Sequence, residues 1–142
     1  RILFAADSCC LDKRVYENVQ KILGPIATVF VGMECIGAPL SWVYAPLLPV
    51  KPERNHDQSR RSHANDAASA LTLLQAVGAQ NAYIYALGRE PWLKYFMALT
   101  PTDDDPYVQE VNKLIAATQA QGGIDVQMLY GKEDIYLDGD RG

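Results

Sequence analysis

The sequence predicts an α/β fold built on a mixed, largely parallel sheet. Short apolar runs rich in β-branched and aromatic residues alternate with stretches of helical period. Such alternation is the pattern of crossover units, in which helices connect parallel strands. The 142 residues suit one domain, spanning 1–142, with a real core. Three predicted strands are followed by an acid, at the strand ends where open α/β sheets gather their functional groups.

The elements follow in order. Ile2–Ala6 is a continuous apolar run, the pattern of a strand covered on both faces. Ser8 or Asp12 suits the cap of the next helix, where Leu11, Val15, Val19, Ile22 and Leu23 recur on one face. Gly24-Pro25 ends it. Thr28–Met33 is a second buried strand. A long loop, 34–62, then carries Gly37, Pro39, Pro46, Pro49 and Pro52, apolar in its first half and polar in its second. A loop of this length inside a compact domain points to function or disorder. Its apolar half, with Trp42 and Tyr44, is expected to cover a site or to pack on a neighbouring part of the protein.

Asn65 or Asp66 caps the next helix, with Ala67, Ala70, Leu71, Leu74 and Val77 as its buried stripe and Gly78 beyond its end. Ala82–Leu87 is a third strand. Pro91 opens a short helical stretch, and Asp105-Pro106 opens a longer helix with Val108, Val111, Leu114, Ile115 and Thr118 inside. Ile124–Leu129 is a fourth strand, and a turn at Tyr130-Gly131 leads to a last short one, Ile135–Leu137.

Bulk properties exclude several classes. Net charge is −4 and no basic stripe is present, which argues against nucleic acid and anionic membranes as partners. No apolar run approaches the ~18 residues of a membrane span. Cys9, Cys10 and Cys35 are odd in number, with two adjacent, and suit no disulfide framework. They read as reduced thiols in a cytoplasmic protein. Cys9 and Cys10 also fit a helix N-terminus, which lowers a thiol pKa. His56 and His63 lie in the polar half of the loop and read as solvated. No H-x-H, H-E-x-x-H or C-x-x-C spacing builds a metal site from this chain alone. Trp42, Tyr44, Trp92, Tyr95 and Phe96 read as core or interface. The three aspartates Asp103, Asp104 and Asp105 suit a helix dipole.

The chemistry-bearing set is therefore Asp7, Glu34 and Glu90, one after each of the first three strands. On one edge of a parallel sheet, such carboxylates bind a metal or act as general acid and base. Each also has a plain alternative: Asp7 as a helix cap, Glu34 as a solvated loop residue, Glu90 as a cap before Pro91.

The segments "RILFAADS", "VFVGMECIGAPLSWVYAPLL", "DQSRRSHANDAASAL" and "AYIYALGREPWLKY" together resemble the C-terminal half of metallo-β-lactamase-fold proteins. The nearest in kind are large members associated with secondary metabolism, including diiron β-hydroxylases of carrier-bound amino acids. The resemblance implies half of a four-layer αβ/βα sandwich. It implies a dinuclear metal site, iron or zinc, whose H-x-H-x-D-H ligands lie in an N-terminal half and whose bridging Asp is Asp7. The family's last His has no counterpart: Gly88 and Glu90 stand there, so Glu34 or Glu90 is the substitute, or His63 if the loop folds back. Further implied are a carrier-bound small molecule as substrate and the missing half, or another chain of the same protein, as partner. This chain alone is expected to bind no metal and to expose an apolar sheet face. The activity is then that of a metal-dependent hydrolase or a diiron oxygenase. The competing expectation is a non-catalytic α/β module that contacts a partner through Trp42 and Tyr44.

Overall fold

The computed structural model describes residues 1–6, 8–33, 45–57, 65–87, 91–92, 95 and 102–136. Its elements are β1 (Ile2–Ala5), α1 (Lys13–Leu23), β2 (Thr28–Gly32), a 3₁₀ turn (Ala45–Leu47), a single helical turn α2 (Arg54–Asp57), α3 (Ala67–Val77), β3 (Asn81–Tyr85), α4 (Pro106–Gln121) and β4 (Asp125–Met128). The four strands lie in sequence order, β1-β2-β3-β4, and every pairing is parallel. The expected short strand after β4 does not form at Ile135 or Tyr136, and Leu137 lies outside the described residues.

Sequential parallel strands with crossovers of one hand put every connecting helix on the same face. The packing agrees: α1 lies against α3, and α3 against α4. Beneath them sits the core, built on Val29, Val31, Ala82 and Ile84 of the central strands and Leu73, Leu74, Val77, Val111 and Leu114 of the helices. The helix stripes are close to those expected. Leu73 joins the α3 set because that helix is apolar nearly all round.

Two expectations change. The described helices cover one face of the strands. In-register neighbours Phe4, Phe30 and Tyr83 stand on the other, and Phe4 is 68% exposed. Nor does α1 bury its whole apolar face. Tyr16 and Val19 pack on the core, while Leu11, Val15, Ile22 and Leu23 stay exposed. The reason is position: β1 ends the described sheet, so among the described helices α1 has a neighbour on one side only.

Local chemistry fixes the helix ends. Asp12 caps α1, its carboxylate accepting from the Arg14 N–H at 3.0 Å. Asp66 caps α3 in a reciprocal box with Ser69, at 2.7 and 3.0 Å. Gly78 ends α3 with φ 74°, and a Cβ there would lie 2.8 Å from the Gln20 amide nitrogen of α1. Asp105 precedes Pro106 as expected, but its carboxylate binds Thr102, not the helix.

Candidate functional site at the carboxyl edge of the sheet

The register aligns the strand ends. Ala5 pairs with Val31, and Gly32 with Tyr85, so β1, β2 and β3 finish along one edge. Met33 and Leu87, just past β2 and β3, are buried and anchor the chain there. Between them in the fold, Ala86 takes φ 56°, the sole non-glycine with positive φ among the described residues. That left-handed turn is costly for an alanine and redirects the chain as it leaves β3. Alanine gives no sequence signal of it.

Asp7, Glu34 and Glu90 all lie outside the described residues, as do Cys35, Trp42, Tyr44, His63 and Phe96. Among the described residues, no three of His, Cys, Asp and Glu gather to hold a metal. The described part therefore builds no dinuclear centre by itself. One alternative does narrow. The cap of α1 is Asp12, so the capping role weighed for Asp7 is filled by another residue. Pro91 and Trp92 lie in a turn and Tyr95 is helical, while Glu90 and residues 93–94 lie outside the described residues.

The loop between β1 and α1 is held by a residue the sequence reading took for a helix cap. Asn65 is completely buried. Its Oδ1 accepts from the Cys10 N–H at 3.1 Å, and its Nδ2 donates to the Ser8 carbonyl at 2.5 Å. One carboxamide thus serves both backbone groups that flank Cys9. Asn65 directly precedes the α3 cap, and Glu110 of α4 accepts the Ala67 N–H at 3.0 Å from the other side. Lys113 and that N–H hold the Glu110 carboxyl below its ordinary value. A buried asparagine beside a cap residue gives no distinct pattern in sequence.

The thiols behave differently from expectation. Cys9 and Cys10 are half-buried thiols in no disulfide. Burial first, then the nearby Asp66, pushes the Cys9 thiol up. Burial, Cys9 and Asp12 do the same to Cys10. α1 itself starts at Lys13, after both cysteines. The aromatic expectation also shifts: Trp92 and Tyr95 are exposed, as are Leu47 and Val50 of the long loop. No described helix is long and apolar enough to cross a membrane.

No protein-family model matches the sequence. A curated relative does: the 4-amino-L-phenylalanyl-(CmlP-peptidyl-carrier-protein) 3-hydroxylase of Streptomyces venezuelae is 38% identical over 122 residues, which is 86% of this chain. The crystal structure of CmlA, a diiron β-hydroxylase from the same organism, superposes with a TM-score of 0.72 at 35% identity over 87% of this chain. A single-substitution mutant of that enzyme gives a TM-score of 0.69 over 90% of this chain. The chain spans 23% of the curated relative's length and 24% of the solved chain. Most of this chain is therefore homologous to one part of a diiron β-hydroxylase, the kind of protein its sequence resembles.

Proposed function

We propose that this chain is the C-terminal portion of a diiron oxygenase of metallo-β-lactamase fold, a β-hydroxylase of a carrier-bound small molecule. In this reading Asp7 bridges the two irons, and Glu34 and Glu90 complete the carboxylate ligation. Carboxylates suit iron, which favours oxygenase chemistry over zinc-based hydrolysis. So does the likeness to a hydroxylase. The iron pair would supply O₂ activation. This chain's contribution would be to hold and orient it.

The observation that carries the reading is the common carboxyl edge of three adjacent parallel strands. Asp7 and Glu34 each follow their strand by two residues, a reach of at most about 7 Å. Glu90 follows β3 by five, a reach of roughly 17 Å. Neighbouring strands lie only about 4.8 Å apart. All three carboxylates are thus within chain reach of one point above β2.

The uncovered sheet face supports the larger architecture. Phe4 and Phe30 stack at 4.6 Å between ring centroids, and Phe30 and Tyr83 at 5.2 Å. Such an aromatic ladder suits burial beneath a second sheet, as in an αβ/βα sandwich. A second αβ half would also bring the H-x-H-x-D-H ligands that this chain lacks. The reduced thiols of Cys9 and Cys10 agree with a cytoplasmic setting.

The test is Asp7→Ala in the intact protein, read by iron content and by hydroxylation of the carrier-bound substrate. Loss of both is expected. An Asp7→Ala protein that keeps two irons and full turnover refutes the reading.

A further inference from the structure

The buried Asn65 has a consequence for the site. The loop Ser8–Cys10 leaves β1 directly after position 7. A side chain from a distant part of the sequence holds it: the Asn65 carboxamide donates to Ser8 O and accepts from Cys10 N–H. Both bonds are made by a fully buried group, so water cannot readily replace them.

The start of α3, directly after Asn65, is itself held. The Asp66–Ser69 box fixes the first turn of α3 immediately after it. The Glu110 carboxylate on Ala67 N–H ties that turn to α4. The Glu110–Lys113 pair, at 2.6 Å, holds the carboxylate in place. Rigid support of this kind is what a ligand-bearing loop needs, since small displacements of a ligand weaken a metal site.

We propose that Asn65 is a positioning residue for the iron site: through Ser8 and Cys10 it fixes the backbone that carries Asp7. This rests on the reading of Asp7 as an iron ligand. Asn65 touches no iron and no substrate. It acts through the loop, and α4 reaches the site through Glu110 and the start of α3.

The experiment compares Asn65→Ala, Ser69→Ala and Asp7→Ala in the intact protein. Hydrogen exchange at the Cys10 amide reads the loop, and iron retention against a chelator reads the site. Asn65→Ala is expected to speed exchange at Cys10 by about tenfold and to lose iron faster than wild type. Ser69→Ala weakens the α3 cap without altering the carboxamide, and is expected to lose iron more slowly than Asn65→Ala. Asn65→Asp keeps the acceptor for Cys10 and removes the donor to Ser8. Should Asn65→Ala not fold, Asn65→Asp reads the same loop, with faster iron loss expected. Wild-type iron retention in the folded Asn65 variant, with Asp7→Ala losing iron, overturns the positioning role and leaves the functional reading intact. Iron retention in Asp7→Ala overturns both. Equal iron loss in Ser69→Ala and Asn65→Ala assigns the effect to general stability and overturns the positioning role.

Discussion

Phe4→Ser separates a chain that is a complete unit from one that forms half of a sandwich. Phe4 is 68% exposed here, so about a third of its side chain is out of water. An aromatic side chain has 150–250 Å² to bury, so that third contributes roughly 1.5 kcal/mol at about 25 cal/mol per Å². Covering the rest beneath a second sheet adds about 2.5–4 kcal/mol more. The perturbation therefore has two expected sizes in two settings. In the 142-residue chain alone it costs about 1.5 kcal/mol, and exchange at the β2 amides of Val29 and Val31 quickens about tenfold. In the intact protein it costs about 4–5 kcal/mol, and the same amides exchange at least about a thousandfold faster. Native-state hydrogen exchange is the suitable assay, because it reads this sheet locally even where a larger protein unfolds in stages. A hydrophobic dye gives the complementary signal: the chain alone binds it, and Phe4→Ser binds less. Equal acceleration in both settings refutes the reasoning, since the face would then be no better covered in the whole than in the part.

Three further outcomes are expected. Asp7→Ala changes stability by less than about 1 kcal/mol in melts of the chain, because Asp12 already caps α1; a loss of about 2 kcal/mol would return Asp7 to a structural role. Asp66→Ala removes the acceptor of a reciprocal box and lowers stability by about 1 kcal/mol, a fall of roughly 3 °C in Tm by calorimetry; no shift would mean the box contributes nothing. Acid weakens the fold in a defined window. The Ser69 groups hold the Asp66 carboxyl low, Lys113 and the Ala67 N–H do so for Glu110, and the Arg14 side chain brings Asp12 to about 2. Each is depressed on folding, so its contribution is complete above its ordinary value, 3.8 for Asp and 4.5 for Glu. It is lost as pH falls through the folded value. A Tm that declines from pH 4.5 downwards, less steeply in Glu110→Gln, is expected; a flat profile to pH 2 contradicts these assignments.

What was legible in the sequence follows from how local each signal is. β-Branched runs such as Thr28–Gly32 and stripes such as Val108, Val111, Leu114 and Thr118 fix element type within a few residues, and the structure places both as expected. Cap residues are equally local, and Asp12, Asp66 and Gly78 sit where their chemistry suggests. Burial is not local. Ile22 and Val19 read alike in the periodicity of α1, yet Val19 packs on the core and Ile22 is 76% exposed. The difference lies in α1 having no described helix on its outer side. Phe4 was read as interior for the same reason. Its apolar run is that of a covered strand, yet Phe4 lies on the face opposite the described helices and stays exposed. The candidate site was legible only as a set of positions after strands, because carboxylates at strand ends are a sequence feature whereas the Asn65 bridge and the Ala86 turn depend on distant partners.

These mismatches cluster in place. Phe4 on the sheet, Leu11 just before α1, and Val15 and Ile22 on α1 are more exposed than their pattern demands, whereas Leu73 of α3 is buried beyond the expected stripe. Apolar exposure gathered around one strand suits contact with further protein. It lies on two surfaces around β1: the face opposite the described helices, and the outer flank of α1. The Asn65 bridge lies between them, at the end of the same strand. β1 is thus bounded by uncovered apolar surface and yet its exit loop is tied down by a buried side chain from α3. That combination suits a strand whose exit must hold its geometry while other protein packs around it, which is the requirement a ligand shared between two halves of an iron site would impose.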